Sequence, residues 1–289
     1  MSLIEEALKK LRGSTAGSPQ VAAALARAVP AQAPAPIRRS TRQIQIDRAA
    51  LRGAGLLCPQ KQERRLAAEY RQIKRPLVSA AFVSPESEAE HSRLIMIASA
   101  LPGDGKTFTT LNLALSIALE KDVTVLLVDG DLAKPHLSNT FGVDGEPGLL
   151  EALVDEQADV ESFIMSTDVQ GLSVLPSGHA RESATELLAS ARMAHVVARL
   201  LSADPSRVVV FDSSPLLLTT DSRVLANSVG QVLIVVRAGG TPRSAITEAI
   251  AALPESKRVG LVLNQFAGSS AANYYGYGSY GTEPDSAGR

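Results

Sequence analysis

The sequence predicts an α/β fold, a doubly wound, mostly parallel sheet with helices on both faces. An N-terminal helical extension is expected before the sheet and a flexible C-terminal tail after it. Three observations predict this class. Short apolar runs alternate with helical stretches from residue 93 onward. The first run leads into a loop, Gly103-Asp104-Gly105-Lys106-Thr107, that opens a helix. Two later runs end in carboxylates, one at Asp129 and Asp131 and the other at Asp212.

The apolar runs are Leu94–Ala98, Val123–Val128, Leu172–Leu175, Val208–Phe211, Val232–Val236 and Val259–Leu263. They are near-continuously apolar, the pattern of strands buried on both faces. Helical stretches lie between them at Thr107–Leu119, Ser183–Leu201 and Arg243–Leu253. In such sheets a ligand sits outside the carboxyl ends of the strands, which is where the polar motifs fall.

Composition suits one sizeable domain with additional segments: 289 residues, 45% hydrophobic, formal net charge −1. Trp is absent and aromatics are scarce, so Val, Leu, Ile and Ala must build the core. The single cysteine, Cys58, has no partner for an internal disulfide, which points to a reducing compartment. The four histidines lack metal-ligand spacing, so no zinc site is expected. The longest apolar stretch, Leu94–Leu101, falls far short of the roughly 18–20 residues that span a bilayer. Glu5 and Glu6 stand where a secretory signal would be basic and then apolar. The expected location is therefore cytoplasmic, with any membrane association supplied by a partner. No nucleic-acid partner is expected.

Five segments follow from the texture of the chain. Residues 1–12 form an amphipathic helix, with Ser2 and Glu5 at capping-box spacing and Leu3, Ile4, Ala7, Leu8 and Leu11 in one stripe. It either packs on the main domain or docks on a partner. Residues 13–40, rich in Ala, Pro, Gly and Ser, are a flexible linker. Residues 41–92 are a helical extension. The stretch 38–75 holds eleven Lys or Arg against three acids, a solvated face or a surface for anionic lipid or an acidic partner. Residues 93–266 form the sheet domain. Residues 267–289 are a tail without apolar periodicity.

The loop after the first run is a P-loop in the required strand–loop–helix context, although Ala100 stands where the strict pattern has Gly. Gly103 and Gly105 let successive amides turn toward phosphate oxygens, and the helix N-terminus adds its positive dipole end. Pro102, Gly103, Asp104, Gly105, Lys106, Thr107 and Phe108 are the expected nucleotide-binding residues. Lys106 would reach the β- and γ-phosphates, and the Thr107 hydroxyl would bind Mg²⁺. Asp129 and Asp131 close a buried strand on the same sheet edge, and their mutual repulsion calls for a cation or a base role. Asp131 could alternatively cap the helix that follows. Asp212 follows four apolar residues, the Walker B pattern of a carboxylate on Mg²⁺.

P-loop, Asp-x-Asp strand and Walker B, in that order, resemble the bacterial tyrosine kinases, as do six shorter stretches. These are LNLA (111–114), GLLEAL (148–153), LPSG (175–178), TELL (185–188), TTD (219–221) and LVLNQ (261–265). MSLIEEALKKLR at the start and EYRQIKRPL (69–77) resemble the exosortase-system branch of exopolysaccharide-associated autokinases. The resemblance implies an ATP- and Mg²⁺-dependent tyrosine autokinase that regulates exopolysaccharide synthesis and export. Its partners would be a membrane-embedded polysaccharide chain-length (co-polymerase) protein at the inner membrane and a cognate tyrosine phosphatase. It would form homo-oligomers in which one subunit's tail enters its neighbour's site. Lys106, Asp129, Asp131 and Asp212 would be catalytic, with Thr107, Asp129 and Asp212 on the metal and Asn264 on the adenine. Either Asp129 or Asp131 would take the tyrosine proton. Tyr274, Tyr275, Tyr277 and Tyr280, four of the chain's five tyrosines, would be the acceptors. Two positions depart from the family pattern: Ala133 replaces an Arg, with Lys134 next, and the oligomer motif aligns as Ala68, Arg71 and Lys74, with its Glu displaced to Glu69.

Two alternatives share these motifs. A partitioning-type localisation ATPase would carry a signature lysine where Leu101 stands, and would lack the tyrosine cluster. A nucleotide-dependent adaptor would assemble with export machinery while turning over little ATP.

Overall fold

The computed structural model describes residues 43–83 and 91–266. The expected helix at 1–12, the linker at 13–40 and the tyrosine tail lie outside the described residues.

Eight strands form one sheet in the order β1-β4-β5-β3-β6-β2-β7-β8. They are β1 (Gln43–Ile44), β2 (Leu94–Ser99), β3 (Thr124–Asp129), β4 (Met165–Thr167), β5 (Leu172–Leu175), β6 (Arg207–Asp212), β7 (Gln231–Arg237) and β8 (Arg258–Asn264). Every pairing is parallel except β4 with β5. The five central runs of the sequence became strands because both of their faces are covered. Each residue of β2 and β6 is buried, and a fully buried Leu or Ile contributes roughly 1.5–3 kcal/mol.

The helices are α1 (Arg48–Gly53), α2 (Glu63–Val83), α3 (Lys106–Ile117), α4 (His136–Thr140), α5 (Leu149–Val154), α6 (Ala184–Leu188), α7 (Ala191–Ala203), α8 (Thr220–Asn227) and α9 (Arg243–Ala251). On one face Ile95 and Ile97 of β2 belong to a core with Leu111, Leu113 and Ile117 of α3 and Tyr70, Leu77 and Ala81 of α2. On the other, Leu94, Met96 and Ala98 belong to a core with Leu149 and Leu153 of α5, Val196 and Leu200 of α7 and Leu225 of α8. Alternation along one strand thus feeds two separate cores.

Three expectations are corrected. The run Val259–Leu263 is not buried on both faces. It is an edge strand that pairs only with β7, and Leu261 and Leu263 are 57% and 58% exposed. The helical stretch Ser183–Leu201 is two helices, broken where Ser190, just before α7, takes an extended conformation (φ −77°, ψ 159°) and its hydroxyl donates back to Leu187 O. The extension at 41–92 is not helical throughout. Its β1 joins the sheet beside β4, and Ile46 N donates to Asp168 Oδ1 at 2.9 Å.

The extension is also fastened to α3. The buried Lys74 donates to Ser116 O at 2.7 Å and pairs with Glu120 at 2.7 Å. Asn112 donates to Leu56 O at 2.9 Å.

Candidate active site

β2, β3 and β6 lie side by side in parallel, so their carboxyl ends open on one edge. There β2 runs into the P-loop, which ends at Gly105 with φ 97°, the left-handed conformation that starts α3 at Lys106. A Cβ on Gly105 would stand 2.0 Å from Asn264 Nδ2, so glycine serves both the turn and the close approach of β8. The first-turn amides of α3 have no acceptors within the helix and face the open edge, as a phosphate cradle requires.

The loop is held from below. Asp104 is buried, with Oδ2 accepting from Leu101 N at 3.2 Å and Oδ1 from the Thr241 hydroxyl at 2.8 Å. Its side chain therefore braces the loop instead of facing a ligand. Asn264 Nδ2 donates to Asp104 O at 2.9 Å, and Gln265, at φ 56°, donates to Gly103 O at 3.2 Å. The expected adenine residue thus uses its amide group on the P-loop.

Asp129 and Asp212 occupy paired positions on β3 and β6. Gly130 lets the two strand ends close up: its N–H donates to Asp212 O at 2.9 Å, and a Cβ there would lie 2.7 Å from that oxygen. Asp212 accepts from the Thr107 and Thr110 hydroxyls at 2.8 and 2.9 Å. Asp129 Oδ2 accepts from the Ser138 N–H and hydroxyl, both at 2.8 Å, while its buried Oδ1 has no partner among the described residues. Burial pushes Asp129 up to about 7, with the charge of Asp212 adding to it. Burial likewise raises Asp212 to about 6, opposed by its two threonine hydrogen bonds and by Lys106. Asp131 is held differently, its Oδ1 accepting from Ser214 Oγ at 3.0 Å and Lys134 N at 3.1 Å.

A cleft of about 800 Å³ opens above this floor. Its walls include Pro102, Gly103, Gly105, Lys106, Thr107, Phe108, Asp131 and Asn264 from the sequence-derived set. Neither Asp129 nor Asp212 lines it: Asp212 is engaged by Thr107 and Thr110, and Asp129, its register partner, by Ser138. The ammonium groups of Lys106 and Lys134 make no hydrogen bond or ion pair with a described residue. Sequence reasoning missed the hydroxyls of Thr110, Ser138 and Ser214. Thr110, one helical turn after Thr107, carried a signal in its spacing; the other two carried none. It also missed Ala54, Gly55 and Leu56, which bring the extension to the cleft wall, and Pro215, Leu218 and Thr219.

The sequence of residues 92–253, more than half of the chain, matches the family described as the AAA domain. Tyrosine-protein kinase YwqD of Bacillus subtilis is 32% identical over 191 residues, 65% of this chain and 78% of that protein. The chain belongs to the bacterial tyrosine-protein kinase family. The succinoglycan biosynthesis transport protein ExoP of Rhizobium meliloti is 34% identical over 179 residues, 60% of this chain but 22% of its own length. The kinase domain of the Escherichia coli tyrosine kinase ETK superposes with a TM-score of 0.57 at 30% identity, covering 68% of this chain and 76% of that domain. Family membership makes this a nucleotide-binding tyrosine kinase-type enzyme and sets aside the partitioning-type alternative. Among the described residues, no helix is long and apolar enough to cross a membrane.

Proposed function

We propose that this kinase transfers the γ-phosphoryl group of ATP to tyrosines of its own C-terminal tail, Tyr274, Tyr275, Tyr277 and Tyr280. One observation carries the reading. Among the described residues the buried Asp129 Oδ1 and the Lys106 ammonium both lack a hydrogen-bond partner, and a third carboxylate, Asp131, lines the same cleft as Lys106.

The orphaned oxygen tests the fit of Mg²⁺. A hard cation at Asp129 Oδ1 would satisfy that atom and relieve the repulsion between Asp129 and Asp212. Thr107, Asp129 and Asp212 are the residues that would hold it, directly or through water. Among the described residues no cluster of three or more His, Cys, Asp or Glu could hold a metal on its own. Mg²⁺ binds nucleotide sites through one or two protein groups together with phosphates and waters, so such a cluster is not needed. Bound there, Mg²⁺ would supply positive charge against the charge developing on the transferring phosphoryl group.

The chain's own residues do the rest. The P-loop amides and Lys106 hold the triphosphate and offset its charge. Asn264, whose amide group is committed to the loop, offers its carbonyl oxygen to the base. The tyrosine oxygen bonds to the γ-phosphorus, the bond to the β–γ bridging oxygen breaks, and ADP leaves. The phenolic proton passes to Asp131, the carboxylate on the cleft wall, which Asp129 and Asp212 do not line.

The role follows from the family and from the relatives. The likeness to ExoP, a succinoglycan biosynthesis transport protein, together with family membership, supports regulation of exopolysaccharide synthesis and export. A membrane-embedded co-polymerase would hold the kinase at the inner membrane, and subunits would exchange tails. Lys74 is committed within the chain, so an oligomer contact across α2 falls to the exposed Arg71.

Mass spectrometry of the full chain after incubation with Mg-ATP tests this. Phosphate is expected on the four tail tyrosines, and none in a Lys106→Met variant. A tail that stays unmodified with and without the co-polymerase's cytoplasmic segment, while ATP still binds, would overturn the reading in favour of a nucleotide-switch adaptor.

A further inference from the structure

We propose that Leu218, with Pro215 and Ala133, forms the slot that receives the aromatic ring of the acceptor tyrosine, with Asp131 at its polar end. The proposal rests on the kinase reading above and names the element that makes the site selective for tyrosine.

These four residues share the wall of the P-loop cleft. Leu218 is 64% exposed there, although the turn that carries it is tightly fixed. Leu216 N donates to Ser99 O at 2.8 Å and Leu217 N to Ala100 O at 3.4 Å, tying the turn to the end of β2. Leu218 N and Thr219 N both donate to Pro215 O, at 3.1 and 3.3 Å. Arg223 Nε caps Leu216 O at 2.7 Å, and Leu216 itself is buried in the core. A leucine held out of the core by a pinned turn, into a cleft, is a preorganised apolar contact.

In the same cleft, Ala133 is exposed and carries no charge. The apolar walls therefore lead toward a carboxylate. That arrangement matches a phenol, which has a flat carbon body and a polar tip. Pro215 and Leu218 would bear on the ring while the hydroxyl reaches Asp131. A serine or threonine has its hydroxyl next to the backbone and no ring to fill the slot. It would forfeit the wall contacts, and its backbone would meet Leu218 before its oxygen reached the phosphoryl group. Leu218 is thus a positioning residue for the acceptor, distinct from the P-loop lysine and from Asp129 and Asp212.

The test uses the full-length chain, Mg-ATP and a synthetic peptide spanning residues 271–282, with phosphate on the peptide followed over a range of peptide concentrations. Leu218→Ala and Leu218→Asp are expected to raise the peptide KM by about tenfold, the value of one lost leucine contact. They should leave kcat within about twofold, because the phosphate-binding residues are untouched. Leu218→Met, which keeps the apolar contact, is expected to restore the KM to within about twofold of the parent. Affinity for a fluorescent ATP analogue, measured on the same preparations, reports that the cleft is folded. Peptide KM values for Leu218→Ala and Leu218→Asp equal to the parent's, or a loss confined to kcat, would overturn the slot. Absence of tyrosine phosphate in the parent chain itself would instead overturn the kinase reading, and the slot with it.

Discussion

Asp129 and Asp212 are register partners on adjacent parallel strands, and among the described residues only Asp129 Oδ1 of their four carboxylate oxygens lacks a hydrogen-bond partner. Two buried acids so placed make the metal-free protein strained electrostatically. The cost is borne in the fold, and a cation bound beside them would relieve it.

That relation predicts a trade between stability and function at Asp129. Asp129→Asn keeps the shape and the acceptor for Ser138 but removes one buried charge. At pH 8 the metal-free variant is expected to gain on the order of 1–3 kcal/mol, a few degrees in melting temperature. The additional stabilisation brought by Mg-ATP should shrink in the same variant. Thermal denaturation with and without Mg-ATP measures both. A variant that melts lower than the parent without metal, or that gains as much from Mg-ATP, would contradict the account.

The contact between Gly105 and Asn264 predicts an order of nucleotide affinities. Gly105→Ala forces a methyl group to within 2.0 Å of the Asn264 amide and places alanine at φ 97°. Asn264→Ala removes the hydrogen bond to the P-loop, worth about 0.5–1.5 kcal/mol, together with the carbonyl offered to the base, and should weaken ATP binding by at least about 2- to 12-fold. Gly105→Ala should cost more than that. The double variant should recover only part, because the left-handed strain outlasts the clash. Equilibrium titration with a fluorescent ATP analogue ranks the three; parent-like affinity in Gly105→Ala would refute the strain.

How much of this was legible in the sequence depends on what each residue type can mean. Leu94–Ala98 announced a strand because five consecutive apolar residues need cover on both faces, and the sheet provides it. Val259–Leu263 carried the same signal and misled, because apolar character does not say what lies over it. Gln43–Ile44 is too short to have a period, so β1 was invisible. The P-loop and the three aspartates stood out because phosphate and metal chemistry tolerate few residue types. Their support, Ser138 under Asp129 and Thr241 on Asp104, did not stand out, because serine and threonine occur everywhere and only the fold brings these together. Spacing places Asp104 in the P-loop but does not give the direction of its side chain, which the fold turns toward Leu101 and Thr241.

Away from the cleft, Asp159 predicts an acid-sensitive contact between the 3₁₀ turn at Val160–Phe163 and α7. Arg199 donates to it through Nε at 3.1 Å and Nη2 at 2.8 Å, which holds the carboxyl below its usual range. A lowered carboxylate stabilises the fold above its unfolded value, near pH 4, and that contribution is lost as pH falls through the folded value. Both groups are partly exposed, so the effect is small, about 0.5 kcal/mol. Asp159→Asn should therefore lower the melting temperature slightly at pH 7 and not at pH 3. An equal difference at both values would exclude the ion pair as its cause.

The larger test of the fold lies at Glu161 and Arg207, a pair buried between that 3₁₀ turn and β6. Both guanidinium Nη atoms engage the carboxylate, Nη2 at 3.1 Å, and Nη1 also donates to Leu200 O at 3.0 Å. Glu161 is fully buried and Arg207 nearly so. Neither residue belongs to an apolar period or a motif, so nothing in the sequence marked them. Bringing both charges out of water cancels much of their attraction, so the pair as a whole adds little to stability. Removing one partner is different, because the other charge stays buried and uncompensated. Glu161→Met and Arg207→Met are each expected to cost about 3–5 kcal/mol. The double variant Glu161→Met with Arg207→Met should cost clearly less than the sum of the two single changes, since no charge is then stranded. Denaturant unfolding of the four proteins closes this cycle. Strictly additive losses would show that the two side chains act independently, and would refute the stranded charge as the source of the cost.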